Sequence, residues 1–258
     1  MTGIEILHED AAIIVVNKPP GLLTQAPLGI DSLEVRIKRL LQERGAAADQ
    51  IYLGVPHRID RPASGVIVFA KTLKAAQKIS RQFEKRWVEK SYWALAGGSI
   101  EPAAGTWTDT LKKTYGKPQS QVVTESDPDG QLAILHYKVV GTLRVPSPDE
   151  GTPSVPATLV EIRLETGRTH QIRVQCASRG HPLLGDELYG SKLPFGPWSD
   201  DERERLIALH ARSLKLRHPQ TQQDLAFTAP LPDIWRGVVP SEAFAAEAAV
   251  NDPGELRS

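Results

Sequence analysis

The stretch HRIDRPASG, residues 57–65, places His57, Arg58, Asp60 and Arg61 within five positions, directly ahead of the apolar run VIVFA. A carboxylate among bases at the mouth of a buried strand has two readings. It is either a loop aspartate paired at the surface with Arg58 or Arg61, or a carboxylate kept ionised for chemistry by nearby cations. A second cluster, ETGRTHQIRV, gathers Arg168, His170 and Arg173 at the start of a predicted helix, where backbone amides favour an anion. Arginines on the solvent side of a helix start would look the same. KSYWALAGG puts Tyr92 on a predicted strand, where aromatics more commonly pack than react. GHPLLGDELYG offers Asp186 and Tyr189 between glycines, which alone indicates a turn.

Other chemistries fit less well. His57, His170, His181 and His210 are scattered without metal-ligand spacing, so no metal site is expected. The single Cys176 excludes an internal disulfide framework. A kinase-type catalytic loop fails because Ile59 separates Arg58 from Asp60, and no glycine-rich phosphate loop accompanies it.

These residues need elements to hold them. IEIL and AIIVV are strand-like runs, ended by the rigid turn NKPPG. DSLEVRIKRLLQERG reads as a helix: Asp31 and Glu34 have capping-box spacing, Leu33, Ile37, Leu40 and Leu41 form one stripe, and Gly45 stops it. A strand is expected from about Val66. From Leu73 the period turns helical, with Ala76, Ile79, Phe83 and Trp87 on one side and Lys74, Lys78, Arg81 and Lys85 on another. Residues 105–165 are expected as strands and turns, with VPSPDEGTPSVP an exposed hairpin loop. Thr169 is the expected N-cap of the next helix and Gly180 its C-cap. LHARSLKLRHP and DLAFTAP form a late strand pair. Irregular alternation dominated by hairpins favours an α+β fold over a doubly wound sheet.

Composition sets the class. The chain has 258 residues, 40% hydrophobic and 24% charged, as in soluble globular proteins. The N-terminus carries acid where a signal peptide carries base, and no apolar run approaches a membrane span, so a cytoplasmic protein is expected. Zero formal net charge speaks against non-specific nucleic-acid binding. That average hides residues 71–90, where seven lysines and arginines face two glutamates. The basic stripe there fits either RNA phosphates or a solvated helix face.

Taken in order, HRIDRPASGVIVFAKT, EKSYWALAGG, ETGRTHQIRVQCASRGHPLLGDELYG and LHARSLKLRHP closely resemble the RluA-like family of RNA pseudouridine synthases. ILHEDAAIIVVNKPPGLLTQ resembles the family's opening, so the likeness covers about residues 4–232. Two departures stand out. Ala63 replaces a threonine common in relatives, and NKPPG begins at Asn17, leaving no room for a separate N-terminal RNA-binding domain. The resemblance implies a pseudouridine-synthase-like α+β fold with a bent, mostly antiparallel mixed sheet flanked by helices around a central cleft. One catalytic domain over residues 1–240 and a tail over 241–258, disordered or briefly helical, are expected.

The implied activity isomerises uridine in structured ribosomal or transfer RNA, without metal or cofactor. Uracil is detached from its ribose, turned and rejoined through ring carbon 5. By resemblance Asp60 is the catalytic carboxylate, Arg173 its basic partner gripping both oxygens, and Tyr92 lies against the uracil. Leu209 packs on the other side of the base, and Arg58 fills the RNA helix where the base was. His57, Arg168 and His170 complete the expected substrate contacts. Covalent attack on base or sugar and a glycal route all remain open. Competing classes are a non-catalytic RNA-binding protein on the same fold, a glycosidase pairing Asp60 with Asp186, and a structural module. A monomer with no membrane partner is the simplest assembly.

Overall fold

The computed structural model describes residues 3–149, 151–236 and 238–239. The run IIVV opens β2 (Ile13–Lys18), fully buried over its first four residues, and pairs on one side with β1 (Glu5–Glu9) and on the other with β3 (Ser64–Ala70). Every residue of β3 is buried, which explains why its sequence is a continuous apolar run and not an alternation. Helix α1 (Leu33–Glu43) adds Leu33, Ile37 and Leu41 to the same apolar cluster, and α2 (Leu73–Glu84) adds Ala75 and Ile79. Each large aliphatic side chain so buried contributes about 1.5–3 kcal/mol.

The remaining strands are β4 (Glu89–Gly97), β5 (Ala104–Lys113), β6 (Ser120–Val123), β7 (Gln131–Pro146), β8 (Ser154–Leu164), β9 (Leu209–Arg217) and β10 (Asp224–Thr228). They form one sheet in the order β1-β2-β3-β9-β4-β8-β7-β5-β6, with β10 also on β9. Among the described strands only β3 and β9 run parallel, and they touch over two pairs, Ser64 with His210 and Gly65 with Ala211. Beyond that contact β10 takes over the edge of β9. The side-chain amide of Gln82 meets both the N–H and the carbonyl of Arg217, tying α2 to β9. This is the expected α+β architecture with a mixed, mostly antiparallel sheet. Among the described residues, no helix is long and apolar enough to cross a membrane.

The short β3–β9 seam sets where the site lies. Gly65 has φ +121°, and a Cβ there would sit 2.3 Å from the Ala211 carbonyl oxygen, so only glycine allows this approach. Across the same seam Ser64 Oγ meets His210 Nδ1 at 2.8 Å, while His210 Nε2 faces the Ala229 carbonyl. His210 therefore donates from Nε2 and accepts at Nδ1. Burial first, then the Arg212 charge, against the Ala229 bond, pushes its pKa down to about 3 and keeps it neutral.

Several local expectations need correction. The N-cap of α1 is Ser32, whose side chain accepts from Val35 N–H, because Asp31 is drawn into an ion pair with Arg36. Leu40 lies at the margin of the stripe. Helix α2 ends at Glu84, and Trp87 is 63% exposed beyond a left-handed turn at Arg86. The β7–β8 hairpin extends to Pro146 and Ser154, shortening the acidic loop. Helix α3 (Gln171–Ala177) starts from His170, not Thr169, and ends at Ser178, with Gly180 two residues further on. Residues 241–258, the expected tail, lie outside the described residues.

Candidate active site

The loop bearing Asp60 is clamped by the turn after β2. Thr24 Oγ1 donates to the Ile59 carbonyl and accepts from the Ile59 N–H, Gly21 N–H donates to the Arg61 carbonyl, and Arg61 Nε returns a bond to the Gly21 carbonyl. Arg61 is thereby spent on structure. Lys18 completes the clamp from a fully buried position, its Nζ donating to the carbonyls of Pro19, Leu22 and Arg61 at 2.9, 2.7 and 3.2 Å. Burial pulls its pKa down to about 7, against the Asp60 charge, which raises it, and Arg61, which lowers it further. Three carbonyl acceptors match the three protons of an ammonium. Sequence reading saw only a turn in NKPPG; the one available signal was a lysine between an apolar run and two prolines, with no acid beside it.

This loop, the start of α3, β4 and the first residue of β9 line a cleft of about 740 Å³. Asp60, Tyr92, Arg173, Arg58, His57, Arg168, His170 and Leu209 all border it, so the structure brings together every candidate named from the sequence. Asp60 Oδ2 accepts from Arg173 Nη1 at 3.2 Å and lies 3.8 Å from His170 Nε2. Arg173 is 4% exposed, yet its two-pronged grip is not on Asp60. Nε and Nη2 donate at 2.7 and 2.8 Å to the two oxygens of Asp186, which is 1% exposed. The expected bidentate contact therefore falls on a different carboxylate. Asp186 anchors the guanidinium, leaving Nη1 to face Asp60. Burial works against the charge on Arg173, but the Asp186 hydrogen bonds and the charges of Asp186 and Asp60 outweigh it and raise the pKa.

Asp186 is held by its own turn. Gly185 has φ +80°, and a Cβ there would sit 2.1 Å from the Leu206 carbonyl oxygen. The same turn supplies Tyr189, whose hydroxyl accepts from Ser120 N–H at 2.9 Å and meets His170 Nδ1 at 3.1 Å. The Asp60 carboxylate, which can only accept, faces Nε2 and favours the imidazole proton there, so Nδ1 accepts from the Tyr189 hydroxyl. His170 itself takes the left-handed backbone conformation, with φ 54°. Burial lowers the His170 pKa, opposed by Asp60. The ring of Tyr189 also carries the Arg173 guanidinium, 5.1 Å from its centroid. From the sequence Asp186 entered only as the second carboxylate of the glycosidase reading and Tyr189 only as a turn residue, and neither was expected to anchor Arg173 or His170.

The apolar side is Tyr92, Leu209, Ile59 and Ala63. Burial, then the Asp60 charge, raises the Tyr92 pKa, so its hydroxyl stays protonated. Leu209 is 5% exposed. His57 is a wall and not a charged contact: Nε2 accepts from Val68 N–H at 3.1 Å, and the ring stacks on Phe83 with centroids 4.6 Å apart. Burial and the nearby Lys90 charge push its pKa down to about 3. Arg168 Nε donates to the Leu132 carbonyl, while Arg58 is exposed at the rim.

A cleft with one ion-paired carboxylate at its edge and an apolar slot beside it has the shape and chemistry that suit an enzyme acting on a single planar base. Residues 12–178 match the family model described as RNA pseudouridylate synthase, and the chain belongs to that family. It is 35% identical over 237 residues to the ribosomal large subunit pseudouridine synthase D of Vibrio cholerae, covering 89% of this chain and 68% of that one. The synthase D of Haemophilus influenzae is 36% identical over 236 residues, with the same coverage. Among solved structures, human RNA pseudouridylate synthase domain containing 4 superposes with a TM-score of 0.67 at 26% identity, covering 88% of each chain. The protein is thus an RNA pseudouridine synthase, an isomerase acting on RNA.

Proposed function

We propose that the enzyme isomerises uridine in large-subunit ribosomal RNA, with Asp60 as the catalytic carboxylate. The observation that carries the assignment is the state of its oxygens: Oδ2 has one donor, Arg173 Nη1, and Oδ1 has no hydrogen-bond partner among the described residues. Arg173, fixed by Asp186, meets the carboxylate at one oxygen without covering it. Tyr92 and Leu209 form the slot for the uracil, and the tyrosine proton is available to the base. Arg58, exposed at the rim, is the residue assigned to fill the RNA helix where the target nucleotide was, a role its exposure supports. The choice of large-subunit RNA over transfer RNA follows the names of the V. cholerae and H. influenzae relatives.

The test is pseudouridine mapping after incubation with unmodified large-subunit ribosomal RNA, small-subunit ribosomal RNA and transfer RNA in separate reactions. New sites confined to large-subunit RNA are expected. Sites confined to transfer RNA would overturn the target assignment, and release of free uracil would overturn isomerisation in favour of hydrolysis.

A further inference from the structure

Lys90 lies two residues before Tyr92 on β4, so both side chains project from one face of the strand, and both line the cleft. Its surroundings are neutral. Nζ sits 5.9 Å from the centroid of the Phe83 ring, whose other neighbour is the uncharged His57. Nζ also lies beside Gly167, where a Cβ would sit 3.4 Å from it, so the ammonium rests against the backbone of the ETGR turn.

No carboxylate answers this charge. Among the described residues Lys90 has neither an ion pair nor a hydrogen bond, whereas Lys71 is paired with Glu9 and Lys112 with Asp127 and Asp129. Glu165, also on the cleft wall, is engaged by Arg86 and His136. Burial holds the Lys90 pKa below its ordinary value, which marks the unmet cost of keeping the ammonium there. A uracil base offers no negative charge, but the strand that delivers it carries one at every phosphodiester.

We propose that Lys90 is a phosphate-binding residue, its ammonium taking a backbone phosphodiester of the RNA strand next to the everted uridine. The inference rests on the reading of this cleft as the RNA site. It adds a strand contact that fixes how far the nucleotide enters, on the wall formed by Phe83 and Gly167.

Binding of a large-subunit ribosomal RNA transcript is measured against salt for the wild type, Lys90→Met and Lys90→Arg, alongside wild-type conversion. Loss of one phosphate contact should weaken binding by about five- to tenfold and make the log Kd against log salt slope shallower by about 1, with Arg restoring the slope. Met matches the length of the lysine stem and removes an unpaired charge, so the fold is retained. A second readout needs no variant: in wild-type protein with ¹³C-dimethylated lysines, the Lys90 resonance should titrate at higher pH once RNA is bound. An unchanged slope together with an unmoved resonance would overturn the proposal. An equal shift with inorganic phosphate alone would reassign the site to small anions. Conversion by the wild type with no Lys90 effect would sink this inference and keep the assigned reaction. A Lys90 effect without conversion would do the reverse.

Discussion

Asp10 and Asp60 are both loop carboxylates of similar exposure, 32% and 29%, at opposite ends of the β2–β3 pair. What separates them is how their oxygens are used. Asp10 Oδ1 accepts from the N–H groups of Ala12 and Ile13, and Oδ2 contacts His8 and His218 Nε2 at 2.9 and 3.0 Å. His218 is committed too: its Nδ1 accepts from the N–H groups of Gln220 and Thr221, so Nε2 is the donor. Asp10 is a saturated carboxylate that joins the β1–β2 turn to the turn between β9 and β10. Asp60 keeps one oxygen without a partner among the described residues and borrows its cation from a guanidinium already anchored by Asp186. Saturation makes a structural acid, while a half-satisfied acid beside a fixed cation is poised for a substrate.

The comparison is sharpest at Arg173. In Arg173→Lys, one ammonium cannot hold both oxygens of Asp186 and still face Asp60. Stability should fall by about 1–3 kcal/mol, because the ammonium keeps a charge beside Asp186 but leaves a buried acceptor without its donor, and single-turnover conversion should fall with it. Denaturant unfolding and rapid-quench conversion check the pair of effects. Wild-type stability and rate in this variant would break the claim that Asp186 anchors the guanidinium.

Asp10→Asn should do the opposite, lowering stability by about 1–3 kcal/mol while leaving conversion intact. Burial raises the Asp10 pKa, but bonds from His8, Ile13 and Ala12 and the His218 charge outweigh it and hold it at about 2. A folded pKa below the unfolded value near 3.8 means that the stabilisation is complete above about pH 4. It is lost as pH falls through 2, by about 1 kcal/mol once solvent screening is allowed for. Thermal unfolding between pH 5 and pH 2 should show this slope in wild type and not in Asp10→Asn.

The smallest effect concerns the far side of the cleft. Tyr189→Phe removes the hydroxyl that takes the Ser120 N–H and directs the His170 proton toward Asp60. Single-turnover conversion should drop about tenfold with RNA affinity unchanged, and its pH profile should shift as His170 loses a fixed tautomer. An unaltered profile would make Tyr189 a packing residue only.

The difference between the two aspartates also explains what the sequence could disclose. HRIDRPASG, KSYWALAGG and ETGRTHQIRV were legible through their order along the chain, which resembles that of the RluA-like family, since each stretch alone also reads as a surface ion pair, a packed strand or a helix start. Asp186 and Lys18 were not, since their roles exist only once distant segments meet. Asp186 is a turn residue until Arg173 reaches it, and Lys18 is a strand end until the Arg61 carbonyl closes over it. The cap of α3 was misplaced as well: the helix starts from His170 in a left-handed conformation with no side-chain cap, a backbone state that the Thr169 hydroxyl gave no sign of. His57 lines the cleft as expected, and the Val68 N–H takes its Nε2, so the ring meets the cleft as a neutral stacked wall.

The most direct measurement is single-turnover conversion by Asp60→Asn on an RNA that the wild type modifies, with RNA affinity and unfolding followed in parallel. Asparagine keeps the shape and the bond from Arg173 but removes the charge. Conversion should fall by on the order of 10⁴-fold, with affinity and stability close to wild type. Pseudouridine formed at the wild-type rate by the folded variant would contradict the assignment of Asp60.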